Sequence, residues 1–445
     1  MKTETIEFLR LAGERLSAAL VLLAGTASAA ATTHFVDVNS TNAASPFTSL
    51  ATAATNIQDA VDVAVAGDEV VVTNGVYPGG VIVSSALALR SVNGAPLTLI
   101  DGGGSVRCIY LTDGASLCGF TVTNGAGSLA QQGSGVGCDS TNVFLTNCVI
   151  VGNVAYGVGG VFGGTLYNCT LSNNTASTSA GGASGSVLYN CTLTGNATGY
   201  NGAGGGADSC ALYNCTLSSN AASLGGAASQ SILFNCVLTA NSAAQAGGGA
   251  WSSTLYNCTV TDNSAGWSSY GGGVDYCTLY NCIVCSNTAW IGDNYSGSGL
   301  SYCCTTPAPP DGVGNITNAP GFMDSANGNL RLQPNSPCIN AGTNYYAPGP
   351  TDLDGRSRIT GGTVDMGAYE WMSSGPLLSI RQSTQGIVLS WPKEDPDWKL
   401  ETAGVLTAGT NPWTLIPMPY DTNGANLQFT EPATHGSQFY RLRKP

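Results

Sequence analysis

Six aspartates in the middle of the chain are the first groups whose chemistry needs to be considered. Hydrolysis of a glycosidic bond needs two carboxylates, about 5–5.5 Å apart for retention or about 6.5–9.5 Å apart for inversion. Asp262 and Asp275 flank the same glycine-rich turn, so this pair stays open as a catalytic candidate. The six residues are Asp113, Asp139, Asp208, Asp262, Asp275 and Asp293.

Basic side chains are almost absent from the same region. No Lys, Arg or His lies between Arg107 and Arg331, and no Glu lies between Glu69 and Glu370. A lyase that acts by elimination needs a base, and this region offers no cationic group for that role. The whole chain has 14 basic and 27 acidic residues, a net charge of −13, and no basic stripe. We therefore predict no nucleic-acid partner.

A second group of acids lies in the segments DLDG and VDMG. Asp352, Asp354 and Asp365 offer oxygen ligands for Ca²⁺, but they lack the longer acidic spacing of an EF-hand. Pairing of these carboxylates with Arg356 and Arg358 is the favoured interpretation. The sixteen cysteines show no zinc or redox pattern, because no His lies between His34 and His435. The sequence thus predicts no metal site and no cofactor.

The central acids must be positioned by a repeat built on the dipeptide Asn-Cys. The pair recurs seven times, at successive spacings of 21, 22, 24, 21, 22 and 24 residues. Such a period is typical of a solenoid, and its recurrence after 67 residues indicates a duplicated three-coil block. Asp208 and Asp275 then lie three coils apart, roughly 14 Å at β spacing, which is too far for either glycosidase mechanism. The repeated cysteines are Cys148, Cys169, Cys191, Cys215, Cys236, Cys258 and Cys282.

The residues around each repeated Cys predict the conformation of one coil. Leu stands three positions before it, an aliphatic residue two positions after it, and Asn five positions after it. The alternation of side chains breaks at Asn-Cys, so we predict a bend with Asn in the left-handed conformation and Cys in the core. Three short strands per coil would form a right-handed parallel β-helix, with the hand taken from the rule for parallel crossovers. The repeated cysteines are expected to be buried free thiols.

An aromatic residue stands two positions before the repeated Cys in six of the seven coils. Because it neighbours the inward Leu, it should point outward and stack on its equivalent in the next coil. Stacked aromatics stabilise a sheet by themselves. The functional alternative is a ligand-binding platform for sugar rings, formed by Tyr167, Tyr189, Tyr213, Phe234, Tyr256 and Tyr280.

Residues 1–29 are predicted to be an export signal. Residues 16–25 are apolar, and Ala27-Ser28-Ala29 is a small-residue cleavage site. The apolar run is short for a membrane span, and no later stretch reaches its length. We therefore expect no transmembrane segment in the mature chain, which would be secreted or held at the cell surface.

The remaining sequence divides into four regions. An N-terminal cap is predicted over 30–75, with a capping helix at 55–66 whose apolar stripe faces the coils. The β-helix coils should occupy 76–310, followed by a closing module at 311–371. Residues 377–445 have a different composition, and the segments GIVLSW and FYRLRKP look like strands of a small β-sandwich.

Five segments, spread over roughly residues 34–371, resemble bacterial secreted right-handed parallel β-helix proteins of the pectin-lyase-like superfamily. The last of these segments resembles a module that closes many surface β-helices before a variable anchoring region. The resemblance implies the fold and export. Many members of the superfamily cleave acidic polysaccharides, commonly with an Arg or Lys base and Ca²⁺ held by carboxylates. The segments are IQDAVDVAVAGDEVVVTNGVY, LRSVNGAPLTLIDGGG, LYNCTL, GNLRLQPNSPCINAG and TDLDGRSRITGGTVDMGAYE.

Two functions are consistent with these observations. The favoured one is a non-catalytic secreted or cell-surface β-helix for adhesion or glycan contact, with a polysaccharide or cell-surface glycan as partner. The alternative is a polysaccharide lyase or glycoside hydrolase. A cleft with two carboxylates less than about 10 Å apart would favour the enzyme.

Overall fold

The computed structural model describes residues 31–127, 132–347, 349–372, 378–384, 386–393, 398–404, 413–424, 426–431 and 438–443. The chain divides into two compact units between Trp371 and Met372. Each unit is described by itself.

The first unit is a parallel β-helix of about eleven coils. Four sheets, called A to D in their order along a coil, have twelve, eleven, seven and ten strands. Their strands pair in parallel with the equivalent strands of adjacent coils, such as Leu166 with Leu188, and one register shift occurs in sheet C between Ala222 and Leu224. The predicted parallel β-helix is confirmed. The prediction of three strands per coil was wrong, because sheet C adds a fourth strand, mostly of two residues, which is too short to show alternation in sequence.

The strands are as follows. Sheet A contains Thr33–Val36, Glu69–Val72, Ala88–Ser91, Ser116–Cys118, Phe144–Thr146, Thr165–Tyr167, Val187–Tyr189, Ala211–Tyr213, Ile232–Phe234, Thr254–Tyr256, Thr278–Tyr280 and Gly299–Ser301. Sheet B contains Gly75–Pro78, Thr98–Asp101, Thr121–Thr123, Val149–Val151, Thr170–Ser172, Thr192–Thr194, Thr216–Ser218, Val237–Thr239, Thr259–Thr261, Ile283–Cys285 and Cys304–Thr305. Sheet C contains Ala126–Gly127, Val154–Ala155, Thr175–Ala176, Ala197–Thr198, Ala221–Leu224, Ser242–Ala246 and Ser264–Ala265. Sheet D contains Val81–Val83, Ile109–Leu111, Val136–Cys138, Val161–Phe162, Ala183–Ser184, Ala207–Asp208, Ala228–Ser229, Ala250–Trp251, Val274–Asp275 and Tyr295–Ser296.

The corner between sheets A and B is the predicted Asn-Cys bend. All seven Asn residues before the repeated Cys have φ between 50° and 55°, the left-handed conformation that Asn tolerates. The repeated Leu and Cys side chains are buried in the core. The N–H that follows the bend is bound by sulfur: the N–H of Cys191 donates to Sγ of Cys215 at 3.4 Å, and Cys215 donates likewise to Cys236. The thiol therefore both fills the core and accepts a backbone hydrogen bond.

The corner between sheets B and C carries a ladder of buried asparagines. Each Asn five positions after the repeated Cys, except the first, accepts two hydrogen bonds from its equivalent in the preceding coil, whereas Asn153 accepts from the N–H of Gly125 at 2.8 Å. Asn196, for example, donates to Oδ1 of Asn220 from its backbone N–H and from Nδ2, both at 3.0 Å. Its Nδ2 also donates to the carbonyl of Leu171 at 2.9 Å. The sequence placed these residues at a strand end but did not predict that they are a fully bonded core ladder. They are Asn153, Asn174, Asn196, Asn220, Asn241, Asn263 and Asn287.

The corner between sheets D and A repeats the same arrangement with Ser and Cys. The N–H of Cys210 donates to Oγ of Ser231 at 3.0 Å, and that of Ser231 donates to Oγ of Ser253 at 3.1 Å. The N–H of Ser253 donates to Sγ of Cys277 at 3.4 Å. The two cysteines that recur with the duplicated block, Cys210 and Cys277, thus belong to a mixed hydroxyl and thiol ladder.

A helix at Ile57–Val63 lies within the predicted 55–66 segment. Ile57, Ala60 and Val61 are buried, as the apolar stripe predicts. Gln58 binds the N–H and the carbonyl of Ile82 at 2.8 and 3.2 Å, and so satisfies backbone groups of the edge strand of sheet D. That the helix closes this end of the solenoid stays a prediction. Short 3₁₀ turns occur at Leu50–Thr52 and Ala95–Leu97.

The segment after the last coil packs along the side of the coils. It contains the antiparallel strands Phe322–Asp324 and Asn329–Leu332 and the 3₁₀ turns Ser325–Asn327 and Asn344–Tyr346. Leu330 and Ala368 pack on Val237, an outward residue of sheet B. The N–H of Ala368 donates to Oγ1 of Thr259 at 3.0 Å. We call residues 318–371 the closing segment.

The outward face of sheet B changes composition where the closing segment covers it. The first outward position is Thr170, Thr192 and Thr216 in three uncovered coils. The equivalent residues in later coils are Val237, Thr259, Ile283 and Cys304, all buried. The outward positions of sheet B are therefore more apolar in the coils that the closing segment covers than in the uncovered coils.

The second unit is an antiparallel β domain. One sheet has the strand order Ser379–Ser383, Gly386–Pro392, Asn426–Glu431, Asp421–Asn423. A second sheet has the order Thr414–Leu415, Lys399–Ala403, Phe439–Arg443. Leu389, Trp391, Leu400 and Ile416 form their common core. The predicted strands are confirmed at GIVLSW and, within FYRLRKP, at Phe439–Arg443.

The export signal predicted at residues 1–29 lies outside the described residues. Within the part of the chain that the structure describes, no helix is both long and apolar enough to cross a bilayer.

The asparagine ladder gives a prediction for stability. Replacement of Asn220 by Ala leaves the N–H and the Nδ2 group of Asn196 without their acceptor in a site closed to water. Because a buried donor that loses its partner costs about 1–3 kcal/mol, we expect Asn220→Ala to lower the free energy of unfolding by about 2–5 kcal/mol. Urea denaturation followed by circular dichroism measures this loss. The exposed Thr175→Ala is the matched control, and equal stability of the two variants would contradict the assigned role.

Candidate functional site

The aromatic row lies on the outward side of sheet A, beside the Asn-Cys corner. Its six rings stack with centroids 4.8–5.4 Å apart and interplanar angles of 7–21°. The predicted stack is therefore present. Phe234 is buried, and the five tyrosines are half-buried. A role of the row in ligand binding stays a prediction.

The stacking geometry changes what the row can offer a ligand. Each inner ring has both faces covered by its neighbours, so the strip exposes ring edges and hydroxyl groups instead of ring faces. A sugar ring stacks on a free aromatic face, which the inner rings of this row do not provide. Burial raises the pKa of Tyr189 to about 12, so its hydroxyl is protonated at neutral pH and can donate a hydrogen bond.

A row of asparagine amides runs beside the aromatic row. These are the bend residues of the Asn-Cys repeat, and their side chains point away from the core. Asn147, Asn168 and Asn190 are exposed, and Asn214 is half-buried. In the later coils the same row is buried: Asn235, Asn257 and Asn281. The sequence predicted the conformation of these residues but not that their amides form a surface row.

The closing segment covers the buried half of this row. Nδ2 of Asn257 donates to the carbonyl of Tyr346 at 3.1 Å. Nδ2 of Asn281 donates to the carbonyl of Thr343 at 3.0 Å, while the N–H of Thr343 donates to Oδ1 of Asn281 at 2.8 Å. In the coil before that of Asn257, Nδ2 of Asn235 donates to the carbonyl of Thr351 at 2.9 Å. The amide row thus binds three main-chain carbonyls of the closing segment, one per coil, around the 3₁₀ turn Asn344–Tyr346.

The aromatic row takes part in the same contact. The ring of Tyr346 stacks on Tyr280 with centroids 3.9 Å apart and lies 6.4 Å from the ring of Tyr256. Two predicted platform residues are therefore contacted by the protein's own chain. No sequence pattern indicated that Tyr346 would join the row, since it lies outside the repeat.

The uncovered half of both rows forms an open strip along the coils. Among the described residues, no hydrogen bond uses the Nδ2 groups of its four asparagines. A shallow cavity of about 550 Å³ adjoins its N-terminal end, between Pro96, Asn147 and Asn168. We define the open strip as Asn147, Tyr167, Asn168, Tyr189, Asn190, Tyr213 and Asn214.

The other corners show that the left-handed bend does not by itself require Asn. At the corner between sheets B and C, the equivalent positions include Gly195, Ser219 and Ala240, all with positive φ. At the corner between sheets D and A they include Gln230 and Tyr276. Seven asparagines in succession at the first corner therefore indicate a role for the amide side chain beyond the bend.

The carboxylates of the coils do not assemble into a glycosidase pair at the predicted positions. Asp208 and Asp275 occupy one column of sheet D, separated by Ser229 and Trp251, so they lie three rungs or roughly 14 Å apart. Burial raises the pKa of both. Asp262 lies at the corner between sheets B and C, away from the column of Asp275, and its carboxylate accepts from the hydroxyl of Thr261 at 3.1 Å.

A carboxylate pair that the sequence did not indicate lies near the N-terminal coils. Asp139 accepts hydrogen bonds from the hydroxyls of Tyr110 and Thr112. Asp113 accepts from the hydroxyl of Ser140 and from the amide of Asn142. These bonds lower the pKa of both exposed carboxyls, so both are ionised at neutral pH and neither can serve as a general acid. Asp113 and Asp139 lie in coils that precede the first Asn-Cys pair. The repeat therefore does not predict the strand register that brings them near each other.

The acids of the closing segment form a buried network with Arg358. Its guanidinium pairs with Glu370 at 3.2 Å, and both side chains are fully buried. Asp352 and Asp365 instead accept backbone N–H groups, from Arg356 at 2.8 Å and Asn340 at 2.7 Å.

The predicted pairing of these acids with arginine is therefore only partly correct. Arg356 pairs with Asp354 at 3.5 Å, whereas the partner of Arg358 is Glu370. Asp354 also pairs with Arg331 at 2.5 Å. Within the described residues, no group of three or more His, Cys, Asp or Glu side chains is arranged to hold a metal ion.

Exposed tryptophans form another surface feature that the sequence analysis missed. Trp267 and Trp290 lie in turns between sheets C and D of successive coils, with ring centroids 5.0 Å apart and 31° between the planes. They are 84% and 60% exposed. They could have been noticed as bulky residues in glycine-rich turns.

No protein-family model matches this chain, and no curated protein is significantly similar to it in sequence. Among solved structures, pectate lyase Pel9A has a TM-score of 0.49 at 15% identity, over 77% of this chain and 96% of its own. A complex of XylC with xylose has a TM-score of 0.39 at 8% identity, over 77% and 98%. A rhamnogalacturonan lyase has a TM-score of 0.34 at 13% identity, over 66% and 90%. The activities named belong to those proteins, and the β-helix of this chain is established by its own strand pairing.

The buried network predicts a pH dependence for the closing segment. Burial raises the pKa of Glu370 from its ordinary 4.5 to about 8, so the folded state holds a proton that the unfolded chain releases. The resulting stabilisation is full below about pH 4.5 and is lost as the pH rises through about 8. We expect Glu370→Gln to be less sensitive than the wild type to a rise from pH 5 to pH 8. Hydrogen exchange of residues 352–371 measures this, with the exposed Asp311→Asn as control. Parallel pH profiles of wild type and Glu370→Gln would contradict it.

Proposed function

We propose that this protein is a secreted or cell-surface β-helix that contacts a neutral polysaccharide or cell-surface glycan through the open strip and does not cleave it. The observation that carries the proposal is the closing segment, which already occupies the other half of the same two rows. The open strip therefore offers a polar ligand the same row of amide donors that binds carbonyls of the closing segment.

The covered half indicates which bonds the open strip would make. Asn235, Asn257 and Asn281 each donate Nδ2 to one carbonyl of the closing segment. In the open strip the same amide group recurs once per coil, about every 4.8 Å. A polysaccharide offers hydroxyl and ring oxygens in place of the peptide carbonyls. Adhesion would then result from many weak hydrogen bonds along the axis of the β-helix.

The charge of the region favours a neutral ligand. The open strip itself contains no charged side chain. Arg90, near the adjoining cavity, is neutralised by Glu69 at 2.7 Å. Because the chain carries a net charge of −13, a polyanionic glycan would be repelled without compensating cations.

Binding is favoured over cleavage because of the positions of the acids. The column of sheet D separates Asp208 from Asp275 by three rungs, and the pair Asp113 and Asp139 has no member that would stay protonated at neutral pH. Hydrolysis needs one carboxylic acid and one carboxylate. Neither set of residues supplies this combination.

The tyrosines of the strip would contribute edges and hydroxyls. Tyr167, Tyr189 and Tyr213 lie in the open half, whereas Phe234, Tyr256 and Tyr280 lie in the coils whose corner asparagines are buried by the closing segment. The ligand-binding role predicted for six aromatics is thus proposed for three of them, together with the four neighbouring asparagines.

Localisation is part of the same proposal. The apolar run and small-residue site in residues 1–29 support export, and the TDLDGRSRITGGTVDMGAYE segment resembles modules that close surface β-helices before an anchor. The antiparallel β domain would then provide the attachment.

The test uses variants that keep the bend but remove the amide. Gly adopts the left-handed conformation without strain, so Asn168→Gly with Asn190→Gly removes two donors and leaves the coil intact. With about 1 kcal/mol per lost hydrogen bond, affinity for a bound neutral polysaccharide should fall roughly 10–30-fold. Affinity electrophoresis against a panel of neutral and acidic polysaccharides measures this change.

Asn173→Gly is the matched control, since Asn173 is an exposed left-handed residue at another corner of the same coil. Its affinity should equal that of the wild type. Equal binding by the double variant, or preference for an acidic polysaccharide, would contradict the assigned surface. New reducing ends or unsaturated products after incubation would contradict the absence of cleavage.

A further inference from the structure

Three cysteines outside the core ladders meet where the closing segment contacts the last coils. Cys304 and Cys338 are fully buried in a small cluster with Ile283, Leu332 and Met366, and the partly buried Cys285 packs against it. Cys304 belongs to the last strand of sheet B, and Cys338 to the closing segment. The cluster therefore joins the last strand of sheet B to the closing segment.

Cys303 and Cys304 are adjacent in sequence but have different surroundings. Cys303 faces the core, where its Sγ accepts the N–H of Cys282 at 3.4 Å and ends the cysteine ladder. Cys304 is the next residue of the chain and occupies the outward column that also holds Ile283. Its thiol is therefore presented to the closing segment, outside the core.

The side chains of Cys304 and Cys338 pack in one buried cluster, and the interaction with Cys338 lowers the pKa of the Cys304 thiol. Sγ of Cys304 also lies 3.1 Å from the carbonyl of Asn318. The ladder thiols differ, because each is already engaged by backbone groups of its own and neighbouring coils. Sγ of Cys215, for instance, accepts from the N–H of Cys191 and donates to the carbonyl of Tyr213.

We propose that Cys304 and Cys338 form a disulfide that fastens the closing segment to the last coil. The oxidant would be another disulfide of the exporting compartment, either a thiol–disulfide oxidoreductase or a small disulfide. The thiolate of Cys304 attacks the oxidant and releases one thiol, and the thiolate of Cys338 then displaces the second from the mixed disulfide. One S–S bond breaks and one forms, and the two protons of the cysteines end on the released thiols.

The surroundings of Cys304 favour the first step of this exchange. Although the Cys304 side chain is buried, it lines a surface cavity of about 370 Å³ together with Cys285, so it lies closer to solvent than the ladder thiols. The lowered pKa of the Cys304 thiol favours the thiolate, which is the attacking species in exchange. The ladder thiols do not line this cavity, and burial raises the pKa of Cys210, for example, to about 12.

The disulfide would stabilise the cover over the second half of the amide row. It closes a loop from the last coil to the closing segment, and so restricts the unfolded chain. The inference rests on the proposed export only for the source of the oxidant. It is independent of glycan binding, since neither cysteine lies in the open strip.

The test is disulfide mapping of the full chain after equilibration in a glutathione redox buffer. We expect the protein alkylated without reduction to yield one cross-linked peptide pair that contains Cys304 and Cys338, with the ladder cysteines alkylated after denaturation. Reduction should lower the melting temperature of the wild type by several degrees. The double variant Cys304→Ser, Cys338→Ser should melt at one temperature with or without reductant.

Cys277→Ser is the matched control, because serine already occupies equivalent positions of that ladder. This variant should keep the redox-dependent melting of the wild type. A fully alkylated wild-type chain, or a cross-link from Cys285 in place of Cys338, would overturn the assignment. Loss of glycan binding alone would not affect it, so failure of the proposed function is measured separately.

Discussion

The backbone N–H that follows each left-handed bend is the group on which the β-helix depends. The bend turns the chain into the next sheet, and the backbone ladder of the preceding strand does not supply an acceptor for the N–H that follows. At three corners the acceptor is the side chain of the equivalent residue one coil later: Sγ of Cys215, Oδ1 of Asn220 or Oγ of Ser231. Because a buried N–H without a partner is costly, each coil specifies a polar acceptor in the next. The coils are therefore held in register by hydrogen bonding as well as by the burial of Leu.

This constraint separates inward from outward positions. The inward residue after the bend is Cys at the corner between sheets A and B, Asn at the corner between sheets B and C, and Ser or Cys at the corner between sheets D and A. The bend residues and the outward columns are free of this hydrogen-bond requirement. Outward positions can therefore vary along the solenoid, as sheet B does from Thr170 to Cys304. The row of bend asparagines shows the opposite behaviour, since it stays constant where Gly, Ser or Ala would suffice. Within the covered half, amides of adjacent rungs also bond to each other, as Nδ2 of Asn281 does to Oδ1 of Asn257 at 3.0 Å.

The repeat made much of the β-helix predictable, because one residue type recurred at one structural position. The positive φ of Asn168 and the burial of Leu166 and Cys169 all follow from local alternation and residue type. The buried amide ladder did not, because a polar Asn at a strand end has the same sequence signature whether it faces water or its own copy in the next coil. The cover over Asn257 was not predictable either, since Tyr346 and Thr343 lie outside the repeat and contact it only after long-range folding. The stacking of the tyrosines was predicted, but its consequence, that stacking hides the ring faces, needed the ring planes themselves.

Duplication of a three-coil block has a consequence for the chemistry that such a solenoid can acquire. A copied side chain returns 67 residues later, three rungs along the axis or roughly 14 Å away. Two copied acids such as Asp208 and Asp275 therefore fall outside the separations that glycosidases use. A pair at catalytic distance must therefore arise from different columns or from adjacent rungs. Copying at fixed spacing instead multiplies identical donors along one line, as in the row from Asn147 to Asn281. The geometry of repetition thus favours rows of identical donors over pairs of acids at catalytic spacing.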